Sequence, residues 1–499
     1  MIEQALYSLN KIDEKYPRPD IIDVLSDQRN QSLLSYVYRD PFGCHIFPGD
    51  IENYPHQRFL EALNSELSTG YPIHLWAYIP TCRYICHFCQ FPKIVVRPHR
   101  EESSQVFKEV VDLNIMEARM WLQKVPNLAS VPIGEFNIFG GTPSLLPFDE
   151  LERLMVFYRE HFNFSHATLR FEGEPGTLDS HYLAFLHKLG FSKLSFGAQS
   201  FNDDIIYSSG RKHSSRECFE VIKNARETGI EWTSVDLIYG LLQQRVEDVE
   251  YDIRKALELE LSHIVCSKLH IKDFMETRTG VSEEKKALWQ KKMVPIEITP
   301  VETTSAGTNR IDTGANKGSK LSANMFPSLG EQYQMRNVID NLFDSYYFEH
   351  PTMYFYRKDT EPEKWKGIIT DQDKQHPEVA IGLGGSSKCR SAEMVNLTDY
   401  KCYREAVNNH ILPVASVTGM SAERQEANAI KMALSTCQPV DNDIHRQRFG
   451  HAIKENKRIY NKLCDLAERQ LLFFDDDKIK LTRSGKVLVE SIINTEFND

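Results

Sequence analysis

Between residues 73 and 269 the chain alternates six short apolar runs with longer amphipathic segments, and this alternation restricts it to few folds. The β-like runs are 73–80, 134–139, 168–172, 193–198, 232–239 and 263–269. Helical patterns near 101–124, 148–161, 179–189, 203–228 and 246–259 separate them. Each helix must carry the chain back along the sheet before the next strand begins, so the strands run parallel. Six such units predict an α/β fold, a partial (β/α)6 barrel spanning 71–274 with its helices outside. Chemistry in barrels of this kind collects at the C-terminal ends of the strands.

The flanking segments read differently. Residues 1–70 form a polar N-terminal extension with a helical patch at 57–67 and a turn-rich aromatic stretch at 40–49. That stretch fits a flap over a site or a packed surface arm; within it Cys44 adjoins His45, a candidate reactive pair. Residues 275–330 are rich in small polar residues and read as an inserted lid or a plain loop. Residues 331–400 connect the barrel to the C-terminal domain through a Gly-rich segment at 379–387, which is expected near the cofactor. Residues 401–499 end in helices, short strands around an Asp-rich turn at 475–477, and a helix at 486–494, a winged-helix-like pattern.

The net charge of −11 and the acidic turn argue against a general nucleic-acid surface. No run reaches the ~18 apolar residues of a membrane span. The first residues lack the basic and apolar regions of a secretory signal, so a cytoplasmic protein is expected. Ten cysteines lie at 44, 82, 86, 89, 218, 266, 389, 402, 437 and 464, too scattered for a disulfide framework.

Three of them do cluster. Cys82, Cys86 and Cys89 follow the first β-like run in a C-x3-C-x2-C spacing. Three thiolates suit three corners of a [4Fe–4S] cube and leave one iron free for a ligand. A zinc site with His87 as fourth ligand, or three buried unligated thiols, are the competing readings. The later strand ends carry Gly140-Gly141-Thr142, Glu172, Ser195 with Gln199, and Asp236. Glycines admit close backbone approach to a ligand. A carboxylate such as Asp236 inside an apolar strand is costly unless it meets a donor or a cation.

In this order and register, the segments resemble the oxygen-independent coproporphyrinogen III oxidase (HemN-like) family of radical SAM enzymes, which includes the class C radical SAM methylases. The resemblance covers 76–270 and extends weakly through Gly382-Leu383-Gly384-Gly385-Ser386 and Leu481-Thr482-Arg483-Ser484-Gly485. It implies a [4Fe–4S] cluster on Cys82, Cys86 and Cys89 and two molecules of S-adenosylmethionine (SAM). Gly140 and Glu172 match residues around the cluster-bound SAM, and Trp76 stands where the family has tyrosine. Phe88, Gly141, Thr142, Gln199, Arg211 and Asp236 match residues around the second SAM, with Leu269 a further aligned contact. It also implies a small-molecule substrate and an electron donor such as flavodoxin or ferredoxin.

Three departures bear on the reaction. Gln90-Phe91 follows the third cysteine where coproporphyrinogen oxidases carry a further cysteine at the second position. Their N-terminal Arg-Tyr-Thr-Ser-Tyr-Pro-type segment survives only as an echo at 15–19, and 275–330 is inserted where the substrate cavity would be capped. The expectation is therefore methyl or methylene transfer of the class C type, in which one SAM yields a 5′-deoxyadenosyl radical and the other supplies the carbon. The alternatives are coproporphyrinogen III decarboxylation or anaerobic haem degradation, with Lys268, His270 and Lys272 as candidate partners of propionates, and a non-catalytic haem- or cluster-binding chaperone.

Overall fold

The computed structural model describes residues 49–89, 91–98, 100–230, 232–269, 326–345, 348–349, 354–357, 377–435 and 437–497, together with 16, 19–30 and 33. Cys44 and His45, nearly all of the 275–330 insertion, and Gln90, His270 and Lys272 lie outside these residues.

All six expected strands form: β1 (Ile73–Ile79), β2 (Ile133–Gly140), β3 (Thr168–Gly173), β4 (Lys193–Gln199), β5 (Trp232–Tyr239) and β6 (His263–Lys268). They stand side by side in chain order and every neighbouring pair is parallel, as the alternation requires. In chain order the helices up to the end of β6 are α1 (Pro19–Ser26), α2 (His56–Leu67), α3 (Glu101–Lys124), α4 (Phe148–His161), α5 (Ser180–Lys188), α6 (Asp203–Ser208), α7 (Ser215–Thr228) and α8 (Val246–Glu258). The segment expected as one helix at 203–228 is two, α6 and α7. Ser214 and Glu217 make a reciprocal capping box that starts a new helix after the Gly210 turn.

The sheet is wider than the six strands. β9 (Glu378–Ile381) adds in parallel to β1, with His74 opposite Glu378. Antiparallel β10 (Ser386–Cys389), β11 (Ala392–Asn396) and β12 (Val414–Gly419) continue that edge. At the far edge β7 (Phe348–Glu349) and β8 (Tyr354–Arg357) extend from β6, which gives a twelve-stranded mixed sheet. The short Gly-rich turn between β9 and β10 packs against Tyr78 of β1 and Pro92.

Alternation along each strand divides the two faces of the barrel wall. Outward residues are apolar: Phe136 packs on Tyr158 of α4, and Phe171 on Tyr182 of α5. All four are almost wholly buried, each contributing about 1.5–3 kcal/mol over exposure. Many inward residues are polar, and several of them pair across strands. Lys193 donates to Glu135 at 2.8 Å, Ser234 contacts His263 at 2.8 Å, and Asn137 donates to Glu172 at 2.9 Å. The barrel interior is thus a hydrogen-bonded plug, open in character only at its upper, C-terminal end.

The C-terminal segment builds its own core. It comprises α11 (Ala422–Ser435), α12 (Asn442–Phe449), α13 (Lys457–Glu468) and a small antiparallel sheet of β13 (Val440–Asp441), β14 (Leu472–Asp475) and β15 (Lys478–Leu481), closed by α14 (Arg483–Val487) and α15 (Val489–Thr495). Val24 and Leu25 of α1 share that core with Ile430 and Leu463, so the N-terminal helix is a part of the C-terminal unit. Before it come α9 (Leu329–Ser345), against α8, and α10 (Tyr400–Asn408), against α3.

One buried carboxylate ties α3 to the β9–β12 edge of the sheet. Glu117 accepts from Trp121, Asn396, Tyr403 and the Gly382 amide. Burial pushes it up to about 7, against the pull of those donors. A carboxyl that keeps its proton folded and loses it unfolded makes stability fall as pH rises. For Glu117 the loss spans pH 4.5 to about 7. Its slope is up to about 1.4 kcal/mol per pH unit. Glu117→Gln, neutral throughout, is expected to flatten the dependence of the urea midpoint on pH across this window, and an unchanged slope would place the titration elsewhere.

Candidate active site

The loop after β1 has almost no regular structure, so side chains and isolated backbone bonds must hold it. Thr81–Cys82 pairs in parallel with Ile94–Val95, which closes the loop on itself. Arg83 makes a two-pronged contact with Glu174 at 3.0 and 2.7 Å, and Tyr84 donates to the same carboxylate. The His87 amide donates to Ser209 at 2.8 Å, and its Nδ1 lies 3.0 Å from the Ser208 carbonyl. His87 therefore anchors the loop to the α6 end. It is not among the residues that line the cleft with the three cysteines.

That cleft opens over the C-terminal ends of β1 to β5 and encloses about 780 Å³, part of it open to solvent. It is lined by Cys82, Cys86, Cys89, Phe88, Gly140, Gly141, Thr142, Glu172, Gln199, Arg211 and Asp236, which the sequence had separated by more than 150 residues. Two expected contacts lie elsewhere. Trp76 is turned to Phe139, ring centroids 5.0 Å apart, with its indole nitrogen buried and unpartnered. Leu269 packs in a small apolar cluster with Leu241 and Phe326, and so belongs to the wall. Lys268 is buried.

Thiolates, glycines and an orphaned amide fit the residues to a cluster with a ligand beside it. Gly141 is the closest approach: a Cβ there would stand 2.9 Å from the Cys82 sulfur and 2.6 Å from the Thr81 carbonyl. Thr142 Oγ1 lies 3.7 Å from the same sulfur. Gly140 adopts φ +125°, open to glycine and strained for others. Burial, then the neighbouring Cys89, pushes the Cys82 thiol up to about 12, and burial pushes Cys86 up against the pull of Arg211. Such thiols stay protonated unless a cation replaces the proton, as metal ligation does.

Gln199 ends β4 at φ +69°, uncommon for a residue with a side chain, just past a register shift between Gly197 and Gln199. A bulge re-aims a side chain, and here Gln199 Oε1 is buried with no hydrogen-bond partner. Arg211 donates to the Gly197 carbonyl at 2.6 Å, to His213 Nδ1 at 3.3 Å, and reaches the Cys86 sulfur at 3.6 Å. His213, lowered to about 4 by burial and then by Arg211, is neutral and accepts at Nδ1. Asp236 is pushed up to about 7, first by burial and then by Glu172, with Ser195 as its donor at 3.3 Å.

Sequence reasoning missed Arg83, Tyr84 and Glu174. The signal was present in Glu172-Gly173-Glu174, where two carboxylates flank one glycine. The first faces into the cleft. The second is buried: burial pushes it up, and Arg211 and Arg83 outweigh that and hold it below the ordinary carboxylate range.

The family model described as the radical SAM superfamily matches residues 76–256, the stretch that builds this cleft. These residues form a radical SAM domain, and the relatives of the chain are of the HemN and HemW kind. The cofactors of that domain are a [4Fe–4S] cluster and SAM. The haem chaperone HemW of Bacillus subtilis (strain 168) is 25% identical, covering 83% of this chain and 96% of its own length. The oxygen-independent coproporphyrinogen III oxidase of Escherichia coli (strain K12) is 27% identical, over 51% of this chain and 54% of its own. The chain thus aligns with nearly all of the first relative and about half of the second. The solved structure of coproporphyrinogen III oxidase (HemN) from Escherichia coli covers 92% of this chain and 98% of its own, with a TM-score of 0.72 at 19% identity, a likeness of fold. Among the described residues no helix is long and apolar enough to cross a membrane.

Gly141→Ala is expected to push the Cys82 sulfur aside. Iron bound per chain after anaerobic reconstitution should fall by half or more while the circular dichroism of the helices stays unchanged; full iron loading in this variant would mean that Cys82 is not a ligand.

Proposed function

We propose that this chain is a radical SAM enzyme that holds its cluster through Cys82, Cys86 and Cys89 and acts on a substrate of the tetrapyrrole class. The observation that carries the catalytic half of this reading is the convergence of Gln199, Arg211 and Asp236 on the cysteine cleft, Gln199 aimed by the bulge that ends β4, Arg211 held by the Gly197 carbonyl and His213, and Asp236 by Ser195. The tetrapyrrole half rests on the relatives, a haem chaperone and coproporphyrinogen III oxidases. Neither kind of relative supports methyl or methylene transfer, and the expected class C reaction is not carried forward.

When bound, the reduced cluster supplies an electron that cleaves SAM to methionine and a 5′-deoxyadenosyl radical able to take hydrogen from a substrate. The chain's own groups do the positioning. Gly140 and Gly141 let the backbone approach the amino-acid end of SAM. Glu172 and Asp236 supply negative charge to offset a sulfonium, and Asp236 accepts from ribose hydroxyls. Arg211 presents a guanidinium to a carboxylate, where the planar fork fits two oxygens. Phe88, Thr142 and Gln199, with Gly141, Arg211 and Asp236, line the part of the cleft assigned to a second SAM. Holding the reactants in one cleft replaces a bimolecular encounter by a local one.

A second reading, a haem-binding chaperone without turnover, is favoured by the match along nearly the full length of HemW. One experiment separates the two. Anaerobic protein with reductant, SAM and coproporphyrinogen III or haem is expected to form 5′-deoxyadenosine, and Cys86→Ala to form none. Stoichiometric haem binding with no 5′-deoxyadenosine from either substrate would leave the chaperone reading in place.

Asp236 also makes SAM binding pH-dependent. With the carboxyl at about 7, a good part of it is protonated at pH 6. A cation beside it favours the ionised form, so binding expels a proton. Calorimetry at pH 6 in two buffers of different ionisation enthalpy is expected to show proton release that Asp236→Asn abolishes.

A further inference from the structure

Far from the cysteine cleft, in the C-terminal unit, two histidines and a glutamate converge on one point. Glu426 lies on α11, His445 on α12, and His451 directly after the Gly450 turn that ends α12. Glu426 Oε1 is 3.1 Å from His445 Nε2 and 3.0 Å from His451 Nε2. Glu426 and His445 are buried, and His451 is partly open to solvent.

The other ring nitrogens decide what these contacts are. His445 Nδ1 lies 3.1 Å from the His451 carbonyl, and His451 Nδ1 lies 3.1 Å from the Phe449 carbonyl. A carbonyl oxygen only accepts, so both Nδ1 atoms carry the hydrogen. In the neutral rings both Nε2 atoms are then bare lone pairs, and both are aimed at a carboxylate oxygen. Three acceptors facing one another repel unless a cation lies among them. A single proton placed between the carboxylate oxygen and one ring satisfies that contact, as at His451, and leaves the other ring nitrogen facing the oxygen with no hydrogen between them. For His445 the direction is also wrong, since its buried Nε2 makes no hydrogen bond although Glu426 Oε1 stands 3.1 Å away.

We propose that Glu426, His445 and His451 bind a divalent transition-metal ion of the zinc class, which clips α11 to the turn after α12. Two imidazoles and a carboxylate are a common donor set for zinc. Ligands about 2.0–2.2 Å from a tetrahedral ion stand roughly 3.3–3.5 Å apart, so the observed spacings need open by only about 0.3 Å. The outer partners are those a bound ion requires. Each ring gives its Nδ1–H to a backbone carbonyl, and Asn456 donates to Glu426 Oε2 at 2.9 Å, which fixes the carboxylate. The partly open His451 side leaves the fourth position to water. The ion is distinct from the iron of the cysteine cleft and its proposed role is structural.

The test uses the full chain, freed of any affinity tag, with Zn2+ as the probe. Cys82→Ala/Cys86→Ala/Cys89→Ala removes the thiols that could bind zinc in place of iron. Elemental analysis after equilibration with micromolar Zn2+ and gel filtration is expected to give one zinc per chain in this variant. Adding His451→Gln or Glu426→Gln should weaken binding at least tenfold in a chelator competition, while iron loading of the otherwise native chain stays unchanged. His451 is partly exposed, so its glutamine variant is expected to fold even if a His445 variant does not. No zinc in the cysteine-free chain, or zinc binding that both variants leave intact, overturns the proposal.

Discussion

The cysteine loop hangs from one buried carboxylate. Glu174 takes the fork of Arg83 and the hydroxyl of Tyr84, and its charge also faces Arg211, whose guanidinium reaches the Cys86 sulfur. With only a two-residue pairing at its base and the His87 anchor to the α6 end, the loop relies on this carboxylate to hold its first half. Burying a carboxylate is expensive, and a partner left alone after its removal costs about 3–5 kcal/mol. The same charge thus stabilises two guanidiniums that would otherwise repel, and couples the first strand end to the third and fourth.

The barrel interior follows a gradient of the same physics. At the floor each charge is matched, as with Lys193 and Glu135. Higher up, Glu172 takes Asn137 and, at 3.7 Å, Arg170, while Asp236 takes Ser195 and feels Arg170 and Arg211 at longer range. The matched layer adds little net stability, because desolvation offsets the attraction. Above that layer Glu172 and Asp236 both line the cleft, where they carry the barrel's less compensated charge. Stability comes instead from the outward face, where aromatic rings pack against the helices.

Most of the barrel was legible because periodicity and punctuation agree: short, largely apolar strands alternate with amphipathic helices from 73 to 268. The cleft was legible for a related reason, since polar residues interrupting apolar strands stood at the strand ends. What the sequence hid was anything set by long-range pairing. Strands β9 to β12 are four to six residues long and carry no signal of which edge they join. Trp76 and Leu269 were placed by alignment, and strand alternation turns one toward Phe139 and packs the other in the wall. Glu174 was overlooked because an acidic residue beside a glycine resembles any solvated turn. Its role depends on Arg83 and Tyr84, some 90 residues earlier.

The parallel pairing of β9 with β1 has a temporal side. His74 faces Glu378, so β1 leaves the ribosome roughly 300 residues before its neighbour does. At about 5–20 residues per second, that is about 15–60 s during which one edge of the first strand has no partner. The cysteine loop leaves that same strand. Its thiols are therefore exposed on a half-built wall while the rest of the chain is being made, and any iron delivered in that interval meets ligands not yet enclosed. Assembly of this protein is thus a matter of scheduling, in which the last part of the sheet to be synthesised shuts the wall beside the first.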